Sequence, residues 1–180
     1  MQTPAKVLIT PRLILRPFED RDAERMFAIM SDDETTRFLH VNPYESPEQA
    51  QAWIERCLSE GDGEYFRRAI ELKETGEYIG DVRVKLNHKD NSGEIGFTVS
   101  REYWGKGLAS EAAGEVITYL MEQRGINRIA AAHSVKNPAS GGVLRKIGMQ
   151  YEGMARELYR NRMGYHDCHR YAILKSDISR

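Results

Sequence analysis

The sequence predicts a mixed α/β fold: a mostly antiparallel sheet flanked by helices, with one parallel crossover near its middle. Three observations predict it. Strand-like runs such as "YFRRAIEL" and "YIGDVRVKL" follow each other through the short Gly-bearing turn "KETGE", the mark of an antiparallel hairpin. A strong helical pattern after Gly107 stands between two strand-like runs, as in a parallel β-α-β unit. The 180 residues contain no repeat, low-complexity tract or linker, so residues 1–180 are expected to form one domain.

Each element has a local reason. "RLILRPF" alternates and predicts a first strand from Arg12 to Phe18. Asp20 fits a helix N-cap, with Asp22 and Glu24 in the first turn and Ala23, Met26, Phe27 and Met30 at helical spacing. "SPEQAQAWIERCLSEG" predicts a second helix. Ser46 and Gln49 have capping-box spacing, Pro47 takes the first helical position and Gly61 lies beyond the end. Its apolar stripe is Ala50, Trp53, Ile54, Cys57 and Leu58. After the hairpin, Glu94 to Val99 forms a third strand leading into "WGKGLAS". The following helix carries Ala109, Ala112, Ala113, Val116, Ile117, Leu120 and Met121 on one side and ends at Gly125. "RIAAAHSV" reads as a buried strand. "NPASGGVLRKIG" reads as a short helix with Asn137 at N-cap, Pro138 at N1 and Gly148 at C′. The tail predicts two long strands around Gly164.

Composition narrows the function. Apolar content of 41% with 29% charged residues describes a globular protein, and a net charge of −1 gives no bulk attraction to nucleic acid or anionic membrane. Two distant cysteines, Cys57 and Cys168, fit a reducing compartment. The N-terminal stretch has two prolines and alternating Arg and Leu instead of a continuous apolar run, so neither a signal peptide nor a membrane span is expected, and the location expected is cytoplasmic. "YHDCHRY" places His166, Cys168 and Arg170 on one strand face and Asp167 and His169 on the other, so no metal site is expected.

The Gly-rich loop carries the chemistry. A strand, then "WGKGLAS", then a helix presents unpaired N–H groups at a helix N-terminus, where the dipole adds positive charge. Such a site holds phosphate or pyrophosphate without a cationic side chain, and Gly105 and Gly107 allow close approach. Leu108 after Gly107 rules out a P-loop, and no third glycine completes a dinucleotide fingerprint. An ordinary strand-to-helix turn is the competing reading.

"YWGKGLASEA" followed by "NPASGGVLRKIGM" resembles the GNAT N-acetyltransferase superfamily, specifically its RimJ/RimL-type branch. The resemblance covers nearly the whole chain. It implies that acetyl-CoA is the cosubstrate and that loop amides hold its pyrophosphate, through Trp104, Gly105, Lys106, Gly107, Leu108, Ala109 and Ser110. Trp104 stands where the superfamily usually has Gln or Arg, a departure shared by this branch. The backbone of Phe97, Thr98 and Val99 is implied to pair with the pantetheine arm, Asn137 to contact the thioester region, and Arg145 and Lys146 to reach the ADP phosphates.

The family implies direct attack by a primary amine, either a protein N-terminus or a small amine, with no acyl-enzyme. Glu94 shares a strand face with Gly96 and Thr98. Space over Gly96 and desolvation would suit it to act as general base, directly or through water; a solvent-facing strand glutamate is the alternative. Leu144 stands where many members carry a tyrosine acid, which leaves Ser140, the branch's alternative donor, to protonate the leaving thiolate. Glu34, Arg37, Tyr44 and His166 are expected to shape the acceptor side. A monomer or homodimer is expected. A CoA-binding module without turnover is the alternative function.

Overall fold

The computed structural model describes residues 6–178. Met1–Ala5, part of the stretch read above for a leader, lie outside the described residues. Two strands, β1 (Leu8–Ile9) and β2 (Leu13–Arg16), precede helices α1 (Asp22–Met30), α2 (Asp33–Thr36) and α3 (Pro47–Glu60). The hairpin β3 (Tyr65–Leu72) and β4 (Tyr78–Asn87) leads to β5 (Ser92–Val99), a 3₁₀ turn at Arg101–Tyr103 and α4 (Leu108–Gln123). Then come β6 (Arg128–Ser134), α5 (Pro138–Lys146), β7 (Gln150–Asn161), β8 (Gly164–Leu174) and α6 (Lys175–Ile178).

The predicted helices and strands are present, and local chemistry explains where the edges moved. β2 ends at Arg16 because Pro17 has no N–H for the ladder. β1, α2 and α6 span two to four residues, too short to show a hydrophobic period. Asp20 is not the cap of α1: the helix starts at Asp22, preceded by Arg21 with no side-chain cap bond. The carboxylate at work is Asp22, 2% exposed, which accepts 2.8 Å bonds from both terminal nitrogens of Arg16. Glu71 accepts a further bond from Arg16 Nε at 2.7 Å. Burial pulls the Arg16 guanidinium down, but the bonds and charges of Asp22 and Glu71 outweigh it and raise it. Gln49 accepts the Ser46 N–H at 3.2 Å, and Asn137 accepts the Ser140 N–H at 3.3 Å, as the caps predict.

Among the described residues the sheet has eight strands, in the order β1-β2-β3-β4-β5-β6-β8-β7. Its one parallel pair among the described residues is β5 with β6, joined at Ser92↔Arg128, Gly93↔Ile129 and Glu94↔Ala130. β5 then runs on to Val99 and β6 to Ser134 without pairing further, so the two strands diverge and the edge of β5 beyond Glu94 is free on that side. This divergence is the cleft at the crossover. One core packs α4 against Leu15, Phe66, Val82, Ile95 and Ile129. The other packs α1 and α3 against Phe18, Ala69 and Tyr78 on the opposite face. Among the described residues, no helix is long and apolar enough to cross a membrane.

Candidate active site

The loop between β5 and α4 has the backbone that anion binding requires. Gly105 and Gly107 adopt φ of 74° and 76°, left-handed values that favour glycine. Gly107 is the N-cap of α4, and Glu111 N–H donates to its carbonyl at 3.1 Å. The amides of the first turn therefore head the helix without intrahelical acceptors. Trp104, 48% exposed, donates its indole N–H to the Val99 carbonyl at 2.7 Å, tying the loop to the end of β5. The Lys106 ammonium lies 4.9 Å from the Tyr103 ring centroid, and its carbonyl accepts a 2.9 Å bond from Arg12.

Cations flank the loop from two other elements. A Cβ on Gly107 would lie 3.1 Å from Lys146 Nζ and 3.7 Å from Arg12 Nη2. A cavity of about 400 Å³ is lined here by Arg12, Gly107, Ser110, Glu111, Gly114, Lys146 and Ile147. Glu111 fixes Arg12 in place: it accepts bonds from Thr10 Oγ1 at 2.6 Å, Arg12 N–H at 2.8 Å and Arg12 Nε at 2.6 Å. Burial pushes the Glu111 carboxyl up, but these bonds outweigh it and hold the group below the ordinary carboxylate range. The head of α4, the left-handed Gly107 and two cations at one cavity fit the phosphates of a nucleotide cofactor.

Along β5, Thr98 and Val99 are buried and Phe97 is half-buried. Glu94 sits where β5 and β6 still pair, opposite Lys85 on β4 and Ala130 on β6, and its side chain is exposed. The desolvation expected of it is absent. The ground over Gly96 lies beside the Arg83 guanidinium, 3.6 Å from where a Cβ would stand. Arg83 in turn bonds Asp81 at 2.8 Å and Thr98 Oγ1 at 3.3 Å. Across the cleft, Asn137 and Ser140 begin α5, both half-buried. Leu144 is 1% exposed in the core. Lys146 reaches the loop, whereas Arg145 turns to β8 and donates to the Tyr171 hydroxyl at 3.3 Å.

The acceptor side differs more from expectation. Glu34 and Arg37 form an exposed ion pair at 3.5 Å. Tyr44 packs beside the α1–α3 core, where burial and the charge of Asp81 push its hydroxyl up. His166 does not line an open groove: it is 2% exposed, with Nδ1 3.0 Å from Ser134 Oγ and Nε2 2.9 Å from Asn161 Oδ1. Burial, then the charges of Lys136 and His40, lower its pKa below the ordinary histidine value. Neither cysteine is poised as a nucleophile; both are buried, and burial pushes the Cys57 thiol up to about 12.

The profile described as "Acetyltransferase (GNAT) domain" matches residues 12–150. The chain belongs to the GNAT acetyltransferase family. It is 38% identical over 174 residues to an uncharacterized N-acetyltransferase, YoaA, of Bacillus subtilis (strain 168), covering 94% of this chain and 97% of that one. It is 28% identical to the [ribosomal protein uS5]-alanine N-acetyltransferase of Escherichia coli (strain K12), covering 83% and 81%. Among solved structures, spermidine N-acetyltransferase from Vibrio cholerae in complex with CoA and spermine superposes with a TM-score of 0.83 at 22% identity, covering 95% of this chain and 100% of that one.

Of the expected cofactor residues, Gly107, Ser110 and Lys146 line one cavity together with Arg12 and Glu111, while Asn137 and Ser140 head α5. Glu94 stands where β5 and β6 still pair, Arg145 points to β8, and His166 is buried between Ser134 and Asn161. Sequence reasoning missed Arg12, Glu111, Asp81, Arg83, Tyr159 and Asn161. Arg12 and Glu111 were readable only as a charged strand end and a first-turn acid, because their pairing joins positions 99 residues apart.

Proposed function

We propose that this GNAT enzyme binds acetyl-CoA at the Gly105–Ser110 loop and moves its acetyl group directly to a primary amine. The observation that carries the reading is the pair of left-handed glycines ahead of α4, with Arg12 and Lys146 beside Gly107. In this reading the amides and cations hold the pyrophosphate, and the free edge of Phe97, Thr98 and Val99 takes the pantetheine arm as an added strand. Asn137 then faces the thioester region. Bound acetyl-CoA supplies the activated acyl group; the chain's residues supply orientation and proton transfer.

Glu94 is the base, and its exposure gives its proton a path to water. The amine nitrogen loses a proton as the N–C bond forms, the C–S bond breaks, and the thiolate takes a proton from Ser140 or solvent. Glu94→Gln tests the first role, since an unchanged pH–rate profile would remove it as base. The acceptor class rests on likeness: one relative is named for a ribosomal-protein alanine and one neighbour for spermidine. The same reading takes residues 1–180 as one acetyltransferase unit acting in the cytoplasm, as a monomer or homodimer.

The test is thiol release from acetyl-CoA across a panel holding spermidine, amino sugars, amino acids and alanine-ended peptides. Amine-dependent release with acetylated product supports the reading. Tight CoA binding with no transfer to any amine contradicts it and leaves a CoA-binding module.

A further inference from the structure

We infer that residues 33–40 form a strap fixed across the acceptor side of the cleft, and that Asn161 and His166 are positioning residues for the amine. The inference rests on the acetyl-transfer reading above. The strap starts on the β5 wall, where Asp32 lies 3.5 Å from Arg101 in the 3₁₀ turn. It ends on the far wall, against the β7–β8 hairpin. Asn161 Nδ2 donates to the carbonyls of Arg37 and Leu39, both at 3.0 Å. Tyr159 donates its hydroxyl to the Phe38 carbonyl at 2.8 Å, and Arg162 donates to the Asp33 carbonyl at 2.9 Å. The segment thus spans the gap that opens where β5 and β6 diverge.

The anchor has a defined direction of hydrogen bonding. Asn161 uses both amide protons on the strap, so its Oδ1 accepts, from Met163 N–H at 2.8 Å and from His166 Nε2 at 2.9 Å. Nε2 therefore carries the proton, and Nδ1 accepts from the Ser134 hydroxyl at 3.0 Å. Ser134 Oγ accepts the Lys136 N–H at 3.2 Å. One connected series runs from the end of β6, through the buried histidine, to the strap backbone. Its innermost link, Ser134 to His166, is buried, and a satisfied network of this kind holds one geometry.

A bulge sets this register. The β7–β8 pairing shifts between Ala155 and Tyr159, with Glu157 at φ 48° and its N–H donating to Asp167 Oδ1 at 2.8 Å. A non-glycine residue in that region is a strained choice that surrounding bonds must hold. Its result is that the ladder resumes at Tyr159↔His166, with the Tyr159 ring stacked 4.6 Å from the imidazole. The bulge thus aims the tyrosine hydroxyl at the strap.

The experiment measures initial rates with acetyl-CoA against spermidine and against an alanine-ended peptide, together with amide hydrogen exchange over residues 31–44. Asn161→Asp keeps the shape and the Oδ1 acceptor but removes both donors to the strap. Its amine KM is expected to rise about tenfold or more, with the acetyl-CoA KM within about twofold and exchange over 33–40 faster. His166→Gln, which can still present an N–H to Asn161, is expected to recover most of the loss seen in His166→Leu. Tyr159→Phe keeps the ring and fold and is expected to raise the amine KM about threefold, so the question stays decidable if Asn161→Asp fails to fold. An unchanged amine KM beside faster exchange would overturn the positioning role, and unchanged exchange would overturn the anchor itself. If the wild type transfers to neither probe, the rates are measured with whichever amine of the panel above is acetylated; transfer to none of them fails the amine reading separately, and exchange over 33–40 still decides whether the anchor exists.

Discussion

The two ends of the cleft are built in opposite ways. On the acetyl-transfer reading proposed above, the cofactor surface is backbone from one continuous stretch, Trp104 to Ser110, shaped by two left-handed glycines and the first turn of α4. At the acceptor end the surface is a strap held by side chains, in bonds that join positions 121 to 129 residues apart. A backbone cradle depends on φ and on amides that nearly any side chain leaves in place. A side-chain anchor depends on particular donors arriving from a distant hairpin. The first suits a cofactor shared across a family, and the second suits an acceptor that varies.

This contrast breaks most readily at Gly107. Gly107→Val puts a β-branched residue at φ 76° and beside Lys146, a strain of about 1–3 kcal/mol that falls on the loop. Calorimetry should show CoA affinity reduced about tenfold or more, with the amine KM little changed. Next in size are the flanking cations. Removing either Arg12 or Lys146 by Gln substitution should weaken CoA binding by about 0.5–1 kcal/mol, and by less at high salt, because both groups are solvent-accessible.

A smaller effect concerns pH. The Glu111 carboxyl is held below its ordinary range in the fold, so its ties to Thr10 and Arg12 contribute fully above the unfolded value of about 4.3. That contribution is lost as pH falls through the depressed folded value. Thermal unfolding of the wild type and Glu111→Gln should therefore differ most near neutrality and converge in strong acid. A gap that is constant with pH would show that the charge of Glu111 is not what matters. The smallest effect is expected at Lys106→Ala. Its ammonium is turned toward Tyr103, so CoA affinity should stay within about twofold, and a larger loss would move the site from backbone toward side chain.

The same division explains what the sequence could show. Ser46, Gln49, Asn137 and Gly107 act on neighbours within a few residues, so caps, helix starts and the glycine turn ahead of α4 were legible. The single parallel crossover was legible too, because helix α4 lies between its two strands in the chain. Asp20 misled because a buried arginine on β2 claims Asp22, and no local rule weighs a partner six residues back across a turn. Glu94 looked poised for desolvation beside Gly96, yet the neighbouring strand brings Arg83 over that glycine and leaves the carboxylate in solvent. His166 was expected to line the acceptor side, but it is buried, and that burial depends on Asn161, Ser134 and a bulge that alternation alone cannot show.

The central claim is that the cofactor and acceptor ends are separable parts of one transfer site. Its most direct test is a two-substrate rate matrix, with acetyl-CoA and a transferred amine varied together, for the wild type, Gly107→Val and Asn161→Asp. The account predicts that Gly107→Val raises the KM for acetyl-CoA and Asn161→Asp the KM for the amine, each leaving the other within about twofold. Equal rises in both constants for each variant would contradict it.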